Sequence, residues 1–304
     1  MTNTIRIATR QSDLALWQAH HIGRLFRQHH PELTYTLIPI LTPADRHQLP
    51  LSAHGGKGQF VKAIQAAVLS GEADIAVHSA KDLPCVTTPG LTLAAVPKRA
   101  SAQDVWVSHH DIMQIAPQSQ VGTSSPRRAI QLLKLRPDLI IKNIRGNVPT
   151  RVQQWQTGDY DALILAEAGL TRLNMTQVIH TPLDKKAFIP AAGQGALAIE
   201  CQADNTRLRA QLARLNDAIS FAMLTAERHC MFALGAHCFA PIGALAEYNH
   251  QQLSLRAFVG DKKHYLFSEA FSPLSDAKLL GQKVADKLNE KGAQNILNSS
   301  QTGG

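Results

Sequence analysis

The sequence predicts an α/β protein with two doubly wound domains built on mostly parallel sheets, followed by a smaller α+β domain at the C-terminus. Short apolar segments of strand length alternate with segments of helical periodicity through the first two thirds of the chain, and this alternation is typical of parallel sheets. The chain has 304 residues, 44% of them hydrophobic, which is enough for two or three domains with cores of ordinary size.

The first domain is predicted to cover residues 1–97 and 196–214. Ile5-Arg6-Ile7-Ala8 is typical of a short strand, and Ser12 is a good N-cap for the helix that follows it, so residues 9–12 form a strand-to-helix turn. The further elements expected in this domain are a strand at 37–41, a helix through Phe60, Ile64, Ala67 and Val68, a strand at 74–79 and a returning strand at 196–199.

The second domain is predicted to cover residues 98–195 and the third residues 217–304. Small residues at 189–195 precede the returning strand, which places the end of the second domain there. In the second domain we expect a strand at 105–108, a turn at 122–125, a helix to residue 135, a strand at 139–144, a helix beginning near Thr150 and a strand at 162–165. In the third we expect strands near 253–259 and 265–270 and a closing helix from Asp276.

Composition narrows the class of protein. The net charge of +8 favours an anionic partner. The four cysteines are too few and too scattered for a disulfide framework in a chain of this length, so we expect reduced thiols. No run of about 18 apolar residues occurs, and the N-terminal segment lacks the pattern of a signal peptide. We therefore expect a cytoplasmic monomer without a membrane partner.

Arginine recurs where predicted strands end and predicted helices begin. Arg127 and Arg128 occupy the first turn of a helix that Ser125 caps, with Pro126 at its first position. A cation there opposes the helix dipole at a cost of about 0.3–1 kcal/mol, and an anionic ligand would offset that cost. Guanidinium groups match carboxylate and phosphate bidentately, so the set predicts an anion site, with solvated helix ends as the alternative for any single member. Similar places are taken by Arg10, Arg145 and Arg151.

Nucleotide binding and serine-hydrolase chemistry are disfavoured because the sequence lacks their motifs. Nucleotide binding would need GxxxxGK[ST] or GxGxxG, and HGGKGQF has neither spacing. A serine hydrolase would need GxSxG. His78, Ser79 and Asp82 lie close together in the sequence, but adjacent residues of a strand point to opposite faces, so they do not form a ready-made triad.

Nucleic-acid and metal binding are disfavoured as well. Aromatic residues make up only 5% of the chain, and the arginines lie at separate turns rather than along one stacking surface. The pairs His229-Cys230 and His237-Cys238 fit no common zinc spacing. We therefore expect no nucleic-acid partner and no metal.

Asp82 is an unusual carboxylate. It follows a predicted strand end, next to Lys81 and before Leu83-Pro84, in a protein rich in cations. The functional interpretation is an ionised carboxylate held in a site, and the structural alternative is a salt bridge to Lys81 or to an arginine.

These segments together resemble the porphobilinogen deaminase family, also called the hydroxymethylbilane synthase family, over essentially the whole chain. The resemblance rests on motifs that occur in the order found in that family. They are IRIATRQSDLALWQA, GGKGQFVKAI, ADIAVHSAKDLP, VGTSSPRR, IRGNVPTR, DALILAEAGLTRL, IPAAGQGALAIE and CFAPIG.

The resemblance implies the site residues. The cysteine of the CFAPIG segment, Cys238, would carry a covalent dipyrromethane cofactor through a thioether, and Asp82 would be the catalytic carboxylate. The cofactor would further be held by Lys81, Thr123, Ser124, Ser125, Arg127, Arg128, Arg145 and Gly146. The substrate, porphobilinogen, would be held by Arg10, Ser12, Lys57, Arg151, Arg172 and Gln194.

The resemblance also implies the activity. Four porphobilinogen molecules would be joined head to tail with loss of ammonia on the dipyrromethane primer, and hydroxymethylbilane would be released by hydrolysis in tetrapyrrole biosynthesis. Each porphobilinogen carries an acetate and a propionate, so the anions expected at the arginines are carboxylates.

Three segments depart from the family's usual pattern. Ala236-His237 stand before Cys238 where glycines are common, and Pro126 replaces a usual leucine. Thr42-Pro43-Ala44-Asp45 stands where Thr-Arg-Gly-Asp is usual, so one cation is missing unless Arg46 substitutes for it. These departures bear on cofactor loading and on closure of the loop.

Two rival interpretations remain. Two domains of alternating strands and helices that close on an acidic ligand are also the architecture of hinge-closing solute-binding proteins, and the predicted fold is periplasmic-binding-protein-like. The first rival is therefore a two-domain anion-binding module. The second is an inactive paralogue of the resembled family.

Overall fold

The computed structural model describes residues 4–40, 58–236 and 240–302. The chain divides into two compact units, one formed by Met1–Arg99 with Ala196–Phe221 and the other by Ala100–Gly195 with Ala222–Gly304. The predicted fold class is confirmed, because the structure is a mixed α/β fold with two parallel-rich sheets and a small C-terminal sheet. The division into three domains stays a prediction.

The helices and strands follow the predicted order. Up to residue 99 they are β1 (Thr4–Thr9), α1 (Asp13–His29), β2 (Thr34–Pro39), α2 (Gly58–Leu69), β3 (Ile75–Ser79), a short 3-10 helix (Ala80–Asp82) and β4 (Leu91–Ala95). From residue 100 to 195 they are β5 (Asp104–Val107), β6 (Gln120–Gly122), α3 (Pro126–Leu135), β7 (Ile140–Lys142), α4 (Val148–Gln156), β8 (Ala162–Ala166), α5 (Glu167–Arg172) and β9 (Thr181–Pro182).

The remaining elements begin with the strand that returns to the first unit. They are β10 (Leu197–Gln202), α6 (Thr206–Leu212), a 3-10 helix (Ala213–Leu215), α7 (Ala218–Ala233), β11 (Ile242–Asn249), β12 (Gln252–Gly260), β13 (Tyr265–Ser272), a 3-10 helix (Leu274–Asp276), α8 (Ala277–Glu290) and α9 (Ala293–Thr302).

The sheet of the first unit has the strand order β2-β1-β3-β10-β4. Strand β1 runs parallel to β2 and β3, whereas β10 pairs antiparallel with β3 and β4. The predicted return of the chain near residue 196 is therefore confirmed. Because β1 and β3 are parallel neighbours, the turns that follow them lie at the same edge of the sheet.

The central strands of this sheet are apolar on both faces. Ile7 and Ile75 pack with Phe26 of α1, whereas Ala8 and Ala76 pack with Val68 of α2. Helices cover both faces, so neither face of the strands alternates with polar residues. The turns at the strand ends are thereby anchored to a buried core.

The first sheet of the second unit has the order β7-β6-β8-β5-β9. Strand β6 is parallel to β7 and β8, and β5 is antiparallel to β8 and β9. The loops after β6, β7 and β8 therefore meet at one edge, where α3, α4 and α5 begin. The C-terminal part of this unit is an antiparallel meander, β11-β12-β13, whose buried face shares a core with α7, α8 and α9.

Some predicted boundaries were wrong. Helix α4 begins at Val148, earlier than the expected start near Thr150, because Asn147 is its N-cap and accepts a hydrogen bond from the Thr150 N–H at 2.9 Å. Strand β2 spans Thr34–Pro39 instead of 37–41. Strands β4, β6 and β9 were not predicted, since strands of two to five residues carry little periodicity of their own. The eight-residue strand β11 and the helices α5, α6, α7 and α9 were not predicted either.

Candidate active site

One half of the predicted site lies at an edge of the first unit's sheet. Arg10 follows β1, and Lys81 and Asp82 lie in the 3-10 helix that follows β3. Ser12 is the N-cap of α1, as predicted, and its hydroxyl accepts a hydrogen bond from the Ala15 N–H at 3.4 Å. All four residues are half-buried. The parallel pairing of β1 and β3 thus places the carboxylate and the cations predicted for this half of the site at the same edge of the sheet.

The turn that carries Asp82 is fixed by its backbone. The Ala80 N–H donates to the Ala196 carbonyl at 3.0 Å, and the Leu83 N–H donates to the Ala80 carbonyl at 3.2 Å. Leu83 is only 7% exposed. Burial and hydrogen bonding on both sides of Asp82 leave this turn little freedom, which is the condition for a preorganised charge.

The strand behind this turn ends in a polar network that sequence analysis missed. His78 Nε2 lies 3.1 Å from Glu200 Oε2, and the Gln65 side chain donates to the same oxygen at 2.9 Å. All three side chains are buried. Ser79 turns away from them and accepts a hydrogen bond from Gln18 at 2.8 Å. His78 and Ser79 therefore have separate partners.

The second half of the predicted site lies at the edge where β6, β7 and β8 end. Its hydroxyl groups hold the loops in place. Ser125 caps α3 by accepting from the Arg128 N–H at 3.4 Å, as predicted, and Pro126 lies in the first turn. Thr123 Oγ1 accepts from the Ser125 N–H at 3.2 Å, and the Ser124 hydroxyl donates to the Ile144 carbonyl and accepts from its N–H.

Arg127 and Arg128 share a buried partner, Asp104, which sequence analysis missed. Arg127 Nη1 lies 2.7 Å from Asp104 Oδ2, and Arg128 Nη2 lies 2.6 Å from Asp104 Oδ1. The two arginines are 5% and 8% exposed and Asp104 is 0% exposed. Their remaining contacts include the carbonyls of Ile189 and Ile164, each at 2.8 Å. Neither arginine is a solvated helix end.

Asp104 is ionised in this environment. Burial by itself would raise the pKa of its carboxyl, but the charges and hydrogen bonds of Arg127 and Arg128 outweigh that effect and hold the pKa well below its ordinary value. For Arg127, burial lowers the pKa and Asp104 partly offsets that shift. One carboxylate faces two guanidinium groups, so the cluster keeps a net positive charge.

Gln194 completes the shell around Asp104. Its side-chain amide donates to Asp104 Oδ1 at 3.0 Å and to the Ala102 carbonyl at 2.7 Å, and the residue is 0% exposed. The next residue, Gly195, has a φ of +82°, and a Cβ there would collide with the Ser101 carbonyl oxygen. The glycine is required for the close approach that brings Gln194 to Asp104.

Three further arginines of the second unit were predicted to hold cofactor or substrate. Arg145 is exposed and makes no hydrogen bond or ion pair with any residue that the structure describes. Arg151 donates from Nε to the Gly146 carbonyl at 2.9 Å, and burial together with repulsion by Arg128 lowers its pKa. Arg172 donates to the Gly195 carbonyl at 2.7 Å, and burial lowers its pKa to about 10. A bound anion would relieve both the repulsion and the cost of burial.

Two predicted site residues, Lys57 and Cys238, lie outside the described residues, as do Thr42-Pro43-Ala44-Asp45, Arg46 and His237. No helix in the described ranges combines the length and apolarity needed to cross a membrane. Within the same ranges, no cluster of three or more His, Cys, Asp or Glu side chains is suited to a metal ion. Cys230 is buried in the C-terminal core, and His229 contacts Gln282.

The fold defines an α/β protein, and each of its two parallel-rich sheets has charged residues in the loops at the carboxyl ends of its strands. Comparison with known families is more specific. Residues 5–210 match the dipyrromethane cofactor binding domain of porphobilinogen deaminase, and residues 221–290 match the C-terminal domain of the same family. The chain belongs to the porphobilinogen deaminase family. The domains of this family support hydroxymethylbilane synthase, a transferase of tetrapyrrole biosynthesis with a dipyrromethane cofactor, and the family implies porphobilinogen as the substrate.

Similar solved structures include a periplasmic domain of BvgS from Bordetella pertussis, at 16% identity over 70% of this chain and 86% of that chain with a TM-score of 0.41. Another is the probable extracellular-binding protein YtmK of an amino-acid ABC transporter from Bacillus subtilis, at 12% identity over 71% and 90% with a TM-score of 0.40. A third is the putative periplasmic sulfonate-binding protein SsuA from Methylobacillus flagellatus, at 12% identity over 76% and 69% with a TM-score of 0.40.

The second unit fits a cofactor with several carboxylates. Arg128 is close enough to Arg151 for its charge to lower the pKa of Arg151, and Arg145, in the loop that precedes α4, is exposed. A cluster of like charges is stabilised when an anion neutralises it. The side chains at this edge are therefore of the kind that a dipyrromethane with acidic substituents requires.

The ion pairs of Asp104 predict a specific loss of stability in acid. The folded-state pKa of Asp104 is depressed, so its stabilising effect is complete above the unfolded pKa of about 4 and is lost as the pH falls towards the folded value. We expect Asp104→Asn to be less stable than wild type at pH 7, with the difference narrowing steadily below about pH 4. Urea unfolding at a series of pH values measures this difference.

The exposed Asp159 supplies the control. Asp159→Asn should follow the wild-type acid profile. A stability difference between Asp104→Asn and wild type that stays constant from pH 7 to pH 2 would contradict the prediction.

Proposed function

We propose that this chain joins four porphobilinogen molecules head to tail, with loss of ammonia, on a dipyrromethane attached through a thioether to Cys238, and then releases hydroxymethylbilane by hydrolysis. The observation that carries the proposal is the group of cations where β6, β7 and β8 end. When bound, the cofactor supplies the free pyrrole α-carbon to which the first substrate molecule is joined. A chain of pyrroles with acetate and propionate groups gains two negative charges with each unit, which this edge is suited to balance.

The arginines bind carboxylates in this proposal. Arg145 has exposed N–H donors, and Arg151 and Arg172 are cations partly removed from water. A carboxylate beside either of the latter would recover the electrostatic energy that burial costs. We propose that the cofactor is held by Arg145 and Gly146 with Thr123, Ser124, Ser125, Arg127, Arg128 and Lys81. We propose that substrate is held by Arg10, Ser12, Lys57, Arg151 and Arg172, with Gln194 in a supporting role because its side-chain amide donates to Asp104.

Asp82 stabilises positive charge in this proposal. Loss of ammonia from porphobilinogen leaves an electrophilic, cationic azafulvene. A carboxylate fixed where that charge develops lowers the barrier, because it need not reorganise during the reaction. Support for this role comes from the hydrogen bonds of Ala80 and Leu83 on either side of Asp82 and from the burial of Leu83.

The remaining parts of the proposal concern the state of the protein. We propose a cytoplasmic monomer with no nucleic-acid or membrane partner. A two-domain anion-binding module is the alternative, since it would bind acidic ligands with the same cations. Covalent modification of Cys238 and turnover of porphobilinogen discriminate between the two.

Arg145→Leu tests the arginine edge. We expect cofactor occupancy or substrate binding to fall by about tenfold or more with little change in melting temperature, because the side chain is exposed and a bidentate partner for a carboxylate is lost. Intact mass, the KM for porphobilinogen and a thermal melt give the three measurements. Arg24→Leu removes the same charge from an exposed position on α1 and should change none of them. Unchanged occupancy and KM in Arg145→Leu would refute the assignment.

Asp82→Asn tests the catalytic carboxylate. We expect kcat to fall by about two to three orders of magnitude while fold and cofactor content persist, because the amide has no charge to stabilise the cation. The matched control is Asp74→Asn, which breaks an ion pair with Arg6 near the opposite end of β3 and should lower stability but not kcat. Near wild-type turnover in Asp82→Asn would favour the alternative that Asp82 forms only a structural salt bridge.

Cys238→Ser tests the attachment site. Holoenzyme should exceed its sequence mass by one dipyrromethane, show three titratable thiols out of four after denaturation and turn pink with Ehrlich's reagent. Cys238→Ser should lack the extra mass and the colour, whereas Cys85→Ser should keep both. An unmodified wild-type mass, in protein made by cells that supply porphobilinogen, would favour the anion-binding module.

A further inference from the structure

Asp104 is the point at which three side chains of the second unit meet. Arg127 and Arg128 come from the first turn of α3, and Gln194 comes from the segment before β10. The three place donors within 2.6–3.0 Å of its two oxygens. Asp104 itself begins β5 and is fully buried, so its carboxylate contacts protein atoms on both oxygens.

The arrangement leaves part of each guanidinium available. Arg127 uses Nη1 for Asp104 and for the Ile189 carbonyl, and its Nε and Nη2 make no hydrogen bond to a described residue. Arg128 uses Nε and Nη2 for Asp104 and Nη1 for the Ile164 carbonyl, although each of its terminal nitrogens carries a second N–H. The carboxylate therefore fixes the planes of both groups without using all of their donors.

A second support fixes the helix that carries the pair. The Gln131 side chain accepts from the Ile189 N–H at 2.6 Å and donates to the Ile189 carbonyl at 3.0 Å. Since Arg127 also donates to that carbonyl, the backbone of Ile189 and the first turn of α3 are held together. The side chains of both arginines are buried, and their guanidinium groups are paired with Asp104.

We infer that Asp104 is a positioning residue of the carboxylate-binding site, which holds Arg127 and Arg128 in the orientation that ligand carboxylates require, and that Gln194 acts through Asp104 rather than by contact with substrate. The inference rests on the proposed function for the identity of the ligand. Gln194 is 0% exposed, and its side-chain amide donates to Asp104 and to the Ala102 carbonyl. We therefore assign it a supporting role.

A positioning role for Asp104 and a purely electrostatic role predict opposite effects on the binding of acidic ligands when the charge of Asp104 is removed. If only net charge mattered, removing the negative charge of Asp104 would strengthen the binding of acidic ligands, because the site would become more positive. If orientation matters, the same change weakens binding, because two buried guanidinium groups that repel each other lose their common anchor. A purely structural ion pair would lower the melting temperature and leave binding unchanged.

The experiment compares holoenzymes of wild type, Asp104→Asn, Gln194→Leu and Arg136→Leu. Arg136 is the control, because it forms an ion pair with Asp138 at the other end of α3 and is similarly shielded. The functional readouts are cofactor occupancy, measured by intact mass, because Arg127 and Arg128 are proposed to hold the cofactor, and KM and kcat for porphobilinogen, because the substrate is joined to that cofactor. The direct readout is the rate at which phenylglyoxal modifies Arg127 and Arg128, followed by peptide mass mapping, which needs no catalytic activity.

We expect Asp104→Asn to lower cofactor occupancy, to raise the KM of the loaded fraction by about tenfold or more, and to speed the modification of Arg127 and Arg128 by a similar factor. Gln194→Leu should also raise KM and the modification rate, by a smaller factor. If Asp104→Asn does not fold, Gln194→Leu serves as the test variant. Arg136→Leu should lower the melting temperature without changing either quantity.

Three results would overturn the inference. They are a lower KM in Asp104→Asn, an unchanged KM with a lower melting temperature, or unchanged modification rates in both Asp104→Asn and Gln194→Leu. Failure of the wild-type enzyme to turn over porphobilinogen would instead reject the proposed function, and the modification rates would still report on the positioning of the arginines.

Discussion

Asp104 places one negative charge between two guanidinium groups in the first turn of α3. Two cations so close together, both buried and both at the positive end of a helix, repel each other and oppose the helix dipole. The carboxylate removes most of that cost and leaves a net positive charge. A fold that must present positive charge to an acidic ligand is thereby able to bury the bases of its arginine side chains, and burial keeps their charged ends in one orientation.

The parallel direction of neighbouring strands places the other candidate site residues of each unit at one edge of its sheet. β6, β7 and β8 are parallel, so residues far apart in sequence, Thr123, Arg145 and Glu167, follow or end strands at the same edge. The first unit repeats the arrangement with β1 and β3, which bring Arg10 and Asp82 to one edge. In each unit the antiparallel strand on the other side of the parallel group, β5 or β10, supplies a buried carboxylate, Asp104 or Glu200, to the sheet.

These two buried carboxylates are used in different ways. Asp104 pairs with permanent cations and is ionised. Glu200 contacts His78 and Gln65, beneath the strand end that leads into the turn of Asp82. Both stabilise the segments that carry functional groups rather than carrying the function themselves. The chemistry proposed for Asp82 depends on such support, since a charge lowers a reaction barrier only when it is already in place.

The sequence alone determined the fold class, the order of most elements and the family. Strand and helix periodicities are local properties, and so are the caps: Ser12 and Ser125 were predicted as N-caps and are N-caps, because an N-cap contacts only the next turn of the chain. Short motifs were enough for the family, and they also picked out Asp82 and the arginines as candidate site residues. The start of α4 and the short strands β4, β6 and β9 were missed, since the hydrogen bonds of such strands come from neighbouring strands and the Asn147 cap of α4 is a weak sequence signal.

Only the tertiary structure decided which charges are paired. The sequence does not distinguish between Arg127, Arg128, Arg145 and Arg151. In the folded structure the first two pair with Asp104, and Arg145 is exposed. Asp104 is 23 residues before Arg127, inside a strand where nothing in its neighbourhood marks it, and Gln194 reaches it from 90 residues away. The energy of a buried charge depends on every group around it and on the absence of water, so no local pattern could assign these partners.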